Sequence, residues 1–169
     1  MSPSPMDTPT LPANALPWTA SLHTGDARMD HTHQEFVDML NQLLATPQDQ
    51  QLPLYRAFLS HTAEHFAQEE RWMVATGFAA ENCHAEHHAT ILETMRAVES
   101  HYEAGDTEII TRLAEALAEW FPGHAASMDA GLAIHMHNVG FDSVTETVAD
   151  PSKIQSVTMS GCGSVSCSH

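Results

Sequence analysis

Four stretches of this chain carry apolar residues at helical spacing, and each apolar stripe is broken by histidine, glutamate or aspartate. The first begins at a predicted N-cap, Asp30, and runs to about Ala45. In it His33 shares a face with Phe36, Val37, Leu40 and Leu44. Pro47 and Pro53 are expected to bound the next loop. The second stretch runs from about Leu54 to Thr76 and stops at Gly77; its stripe reads Leu54, Phe58, His61, His65, Glu69 and then Trp72 or Met73. The third runs from about Glu81 to Glu103, with His84, His88, Ile91 or Leu92, Met95 and Tyr102 on one side, and Gly105 ends it. The fourth opens at Asp106 and carries Ile110, Leu113, Leu117, Trp120, His124, Met128 and Leu132. Pro122 lacks a backbone N–H and is expected to kink it. No strand-like alternation competes. Four amphipathic helices with short links predict an all-α, up-down-up-down four-helix bundle.

Seven of these inward residues could hold a metal: His33, His65, Glu69, His84, His88, His124 and Asp129. Burying that many polar groups is costly unless something satisfies them. A metal ion does so, and five imidazoles with two carboxylates suit iron or another borderline transition metal. Composition agrees, with 13 His among 169 residues. A neighbouring pair at i, i+4 lies about 40° apart around a helix and about 6 Å along it, so it can chelate one ion or reach two adjacent ones.

Charge narrows the partners. Six Lys and Arg stand against 22 Asp and Glu, a formal charge of −16. Such a surface repels nucleic-acid phosphates and anionic lipid, and no apolar run approaches the ~20 residues of a membrane span. No nucleic acid and no membrane is expected as partner, and the protein is expected to be monomeric. Residues 1–17 hold five prolines and read as an extended arm; 18–138 form the bundle; 139–169, rich in Ser, Thr, Val and Gly, read as a flexible tail. The N-terminus has no basic start and no apolar core of a secretory signal. With only three cysteines, two of them (Cys162 and Cys167) in that tail beside His169, a disulfide framework is not expected and the cytoplasm is the expected compartment.

Single motifs carry little weight at this histidine density. His31 with Glu35 is an H-x-x-x-E pair, His61 with His65 repeats H-x-x-x-H, and His101 with Asp106 repeats H-x-x-x-x-D. What is specific is the ordered set, one element per helix and each on an inward stripe. Trp18 is followed by Asp30-x-x-His33 and Asn41-Gln42-Leu43. His65-Phe66-Ala67-Gln68-Glu69-Glu70 comes next, then His84-x-x-x-His88, then Trp120-Phe121 with His124 and Asp129. Over about residues 18–138 this pattern resembles the bacterial hemerythrins.

The resemblance implies a non-haem di-iron centre. His84, His88 and His124 would hold one Fe ion and His33 and His65 the other. Glu69 and Asp129 would bridge the pair, together with an oxo or hydroxo group. The two-histidine iron would keep a place for O₂. It further implies reversible O₂ binding, for storage, delivery or sensing, and no enzymatic role. Sensing would pass through a separate, unidentified protein partner. Phe36, Phe66, Trp72, Ile91, Leu92 and Leu132 are candidates for the water-excluding wall. The competing readings are a di-iron redox enzyme acting on O₂, peroxide or nitric oxide, and an iron-handling protein. A ferritin-like enzyme needs E-x-x-H on two helices, and only Glu81 to His84 offers one. Outside the seven, His61 is expected at the rim, Cys83 as a passive thiol, Glu70 as a solvated neighbour of Glu69, and His23, His31, His87, His101, His135, His137 and His169 facing water.

Overall fold

A computed structural model describes residues 11–78 and 82–156. Four helical rods form the body: α1 (Ala27–Ala45), α2 (Gln51–Ala75), α3 (Cys83–Glu103) and a composite fourth rod. The fourth consists of α4 (Ile109–His124), a π-helical turn (Ala125–Asp129) and α5 (Ala130–Asn138). α1 packs against α2 and α4, and α3 packs against the same two, which closes the four-helix bundle. Among the described residues no helix is long and apolar enough to cross a membrane.

Local chemistry sets the helix ends. α1 starts earlier than expected, because the Asp26 side chain accepts from the Met29 amide and caps the helix. Asp30 instead takes the Thr24 amide and hydroxyl, at 2.7 and 2.8 Å, and braces the incoming chain. Pro53 falls inside the first turn of α2 rather than in the loop, where its missing N–H is not needed. α3 is capped by the Asn82 side chain on the Ala85 amide. Pro122 sits inside α4, and the helical path continues through it into the π turn.

The core has two parts. One joins Phe36, Leu40, Tyr55, Phe58, Met95, Leu117 and Phe121; the other gathers Met29, Trp72, Met73, Leu132, Met136, Val139 and Phe141. The described part of the arm lies along the bundle, where Leu16 exchanges two hydrogen bonds of 2.8 Å with the Asn41 side chain.

Residues 139–156, expected to belong to a flexible tail, are ordered. Phe141–Asp142 (β1) pairs antiparallel with Thr147–Val148 (β2), with Phe141 opposite Val148. Phe141 joins the second core, and the Ser143 hydroxyl donates to Asp26 at 2.8 Å. Gly77, at φ +68°, ends α2 so close to Ile154 that a Cβ there would lie 2.7 Å from its methyl. Strands of two residues are too short to show alternation, so this ordered stretch was not legible in the sequence. Cys162, Cys167 and His169, like residues 1–10, lie outside the described residues. Cys83 is not a passive thiol: it is disulfide-bonded. Three cysteines do not make a framework, but they suffice for one bridge.

Candidate metal centre

The bundle brings all seven inward residues together, and each is almost fully buried. α1 supplies His33, α2 supplies His65 and Glu69 one turn apart, and α3 supplies His84 and His88 one turn apart. His124 is the last residue of α4, and Asp129 ends the π turn. That turn matters. In a regular α-helix residues five apart lie about 140° apart around the axis, so His124 and Asp129 would point different ways. The wider π turn, with its i→i+5 bonding, returns Asp129 to the histidine's side. Asp129 is therefore fully buried, and Met128, expected inward from α-periodicity, is only half-buried.

The two carboxylates divide the histidines into two groups. Glu69 Oε1 lies 2.8 Å from His65 Nε2 and 3.2 Å from His33 Nε2. Its other oxygen, Oε2, lies 3.3 Å from the Nε2 atoms of both His84 and His88. Asp129 repeats the division, with Oδ2 3.1 Å from His33 and Oδ1 2.7 and 3.0 Å from His84 and His124. Each carboxylate thus spans from a pair, His33 and His65, to a triplet, His84, His88 and His124.

Glu69 Oε1 is hydrogen-bonded by His33 and His65, but several of the other atoms converge without pairing. Glu69 Oε2, both Asp129 oxygens and His84 Nε2 are buried and make no aligned hydrogen bond, although nitrogen atoms lie within 3.3 Å of the oxygens. Donor atoms that crowd one another while aiming between themselves are what a coordination sphere presents, and the soft-to-hard balance of imidazole and carboxylate fits iron. The residues present therefore fit a bound metal pair.

Aromatic rings close the surroundings. Phe121 stands edge-on to His33 at 5.1 Å, and Phe36 edge-on to His65 at 5.8 Å. Phe66 stacks flat on His88 at 3.9 Å, and Trp120 stacks on His124 at 4.4 Å. Of the expected wall, Phe36 and Phe66 touch site histidines. Trp72 and Leu132 lie in the second core, and Ile91 and Leu92 are only half-buried. Phe121 was not expected in the wall. Its place three residues before His124, on the buried side of α4, was the available signal.

Among the outer residues one differs from expectation, His135, and Glu70 adds a contact. Glu70 is exposed, yet its Oε1 lies 3.6 Å from His88 Nδ1, so it faces the back of a site histidine. His135 is buried, not solvated, and its Nε2 lies 2.9 Å from the Thr76 carbonyl, because α5 continues the inward face with Leu132 and Met136. His61 stands at the rim as expected, and His23, His31, His87, His101 and His137 are exposed. His169 lies outside the described residues.

A model of the hemerythrin family, described as the hemerythrin HHE cation binding domain, matches residues 24–133. This chain belongs to the hemerythrin family. The match contains all seven inward residues. A bacteriohemerythrin of Ralstonia nicotianae is 33% identical over 134 residues, covering 79% of this chain and 98% of that protein. The hemerythrin-type cluster gives this chain a metal-binding centre of histidine, glutamate and aspartate in two groups.

Without metal, the centre holds protons in a specific pattern. Burial opposes charge on His33 and His84, but the carboxylates of Asp129 and Glu69, within 3.3 Å of their Nε2 atoms, outweigh it and push them up to about 10 and about 9. Burial wins at His65 and His124, which are shifted down and stay neutral. Burial also opposes ionisation of Glu69 and Asp129, yet the surrounding histidines hold both below their usual range. A histidine with a raised folded pKa adds stability that is complete below about 6.5 and lost as pH rises through the folded value. The metal-free protein is therefore expected to lose stability between about pH 6.5 and 10. Denaturant midpoints measured across that range check this, and a flat or rising profile would contradict it.

Proposed function

We propose that this hemerythrin-family chain binds O₂ reversibly at two iron ions held by the seven residues. The observation that carries the reading is the division of each carboxylate between the histidine triplet and the histidine pair. It provides two adjacent metal positions with Glu69 and Asp129 reaching both. His84, His88 and His124, with one oxygen from each carboxylate, offer five protein donors. His33 and His65, with the remaining oxygens, offer four. An ion that prefers six donors is less fully served on the second side, which leaves room there for a small ligand.

When bound, a ferrous pair supplies the electrons that O₂ binding draws on and recovers them on release. This chain's residues do the rest. Phe36 and Phe121 press against the two-histidine side with rings that neither give nor take protons, and they keep water away. That favours holding a ligand over turning one over. Metal uptake has a proton cost: His33 and His84 must lose the protons that Asp129 and Glu69 otherwise keep on them.

Anaerobic loading with ferrous iron, a count of iron per chain and cycles of O₂ addition and removal under visible spectroscopy test the proposal. Two irons per chain and a colour that comes and goes with O₂ are expected. Irreversible oxidation, or repeated consumption of O₂ or peroxide, would replace the carrier reading with a redox enzyme. Iron held without stoichiometry would replace it with iron handling.

A further inference from the structure

His88 of α3 meets α2 on three sides. Glu69 Oε2 lies 3.3 Å from its Nε2, the nitrogen that faces the centre. Phe66 stacks on its ring at 3.9 Å, with the two planes 2° from parallel. Glu70, one turn after Phe66 on α2, brings Oε1 to 3.6 Å from the other ring nitrogen, Nδ1. Residues four apart share one face of a helix, so a single stripe of α2 sets the plane of the ring and meets its outer edge.

Nδ1 is the unsatisfied end of this histidine. It is buried without a hydrogen-bond partner, as are the Nδ1 atoms of His33, His65, His84 and His124. Among the described residues, only His88 of these five has a carboxylate beside that atom. A neutral imidazole carries one N–H, and a histidine that gives one nitrogen to a metal ordinarily donates the other to a carboxylate or carbonyl. At 3.6 Å the contact is too long to be that bond already. The Glu70 side chain is 47% exposed, whereas that of His88 is fully buried, so the carboxylate is the partner free to move. Among the described residues no other side-chain hydrogen bond or ion pair engages Glu70.

We propose that Glu70 is the positioning residue for His88. Rotation of its outer torsions lets it accept from Nδ1–H, which fixes the tautomer whose Nε2 lone pair faces the metal and makes that nitrogen a stronger donor. Phe66 holds the ring in plane while it does so. His33 and His65 have no such acceptor, so the support falls on the triplet side alone. The inference rests on His88 being a ligand of that triplet, as in the reading above.

The test compares full-length wild type, Glu70→Ala and Glu70→Gln. Nitrogen-15 NMR of the zinc-loaded chain, which is diamagnetic, reads the proton on His88 Nδ1. Anaerobic competition with a ferrous chelator reads iron retention. Wild type is expected to show His88 protonated at Nδ1 and slow to exchange with water. Glu70→Ala should shift that signal, speed its exchange and weaken retention of one iron by about 10–100-fold. Glu70→Gln, whose amide oxygen can accept the same bond, should recover most of both. Thermal unfolding of the metal-free variants should match wild type, because Glu70 belongs to neither apolar cluster. An unchanged signal and retention in Glu70→Ala overturns the proposal. So does an equal loss in Glu70→Gln, or a lowered midpoint of metal-free Glu70→Ala, which would make the effect one of charge or of the fold. A wild type that retains no iron overturns the metal reading as well, whereas iron held equally by wild type and Glu70→Ala overturns this inference alone.

Discussion

Replacing Glu69 by Ala is expected to leave the chain unable to hold a metal pair, with iron content falling from two per chain to one or fewer. Glu69 is the residue through which α2 serves both halves of the centre. Oε1 faces His33 and His65, and Oε2 faces His84 and His88. Alanine removes one donor from each half at once. Mutations of groups that merely orient ligands cost about 10–100-fold in metal affinity, so losing a shared donor should cost more. The helices themselves should still form, because the two apolar clusters that hold the bundle together do not include Glu69. Iron analysis after anaerobic loading, with far-ultraviolet circular dichroism as the check on folding, gives the answer. A Glu69→Ala protein with two irons and an unchanged spectrum would remove Glu69 from the centre.

Replacing Phe121 by Ala is expected to lower stability by about 3–5 kcal/mol, the usual cost of emptying a large aromatic site in a core. For a chain of this size that corresponds to a fall in Tm on the order of 10 °C. Phe121 is fully buried, packs 4.8 Å from Phe36 and meets the His33 ring edge-on. The cavity would therefore open beside the two-histidine side, where water could enter. Loaded protein should then lose its O₂-dependent colour faster than wild type, while Phe121→Leu should recover most of both properties. Thermal unfolding and the decay of the visible band measure the two effects. A variant as stable as wild type would mean that the ring is not part of the core, and an unchanged decay would mean that it excludes no water.

The histidines were legible because their cost is legible. His33, His65, His84 and His88 interrupt apolar stripes at intervals that keep them on the buried face, and a buried imidazole demands a partner. Where α-periodicity holds, the reading transferred directly: Phe36, Phe58 and Met95 lie in the core as the spacing required. Where a residue's environment comes from a distant segment, the reading was less complete. His135 is covered by the end of α2, and Phe141 reaches the second core only because a hairpin folds back onto α1. Two-residue strands have no period to detect.

The sequence by itself determined an all-α bundle, the identity of the seven inward residues and the type of chemistry they could support. For the five histidines and Glu69 this follows from residue type and short-range spacing; Asp129 came with the family pattern. The tertiary structure decided how those residues divide. The π turn after His124 swings Asp129 inward in place of Met128, which α-periodicity alone would have chosen. Four helices then meet so that both carboxylates reach from three histidines on one side to two on the other. That division depends on distances between residues up to 96 positions apart, from His33 to Asp129, and only packing sets such distances.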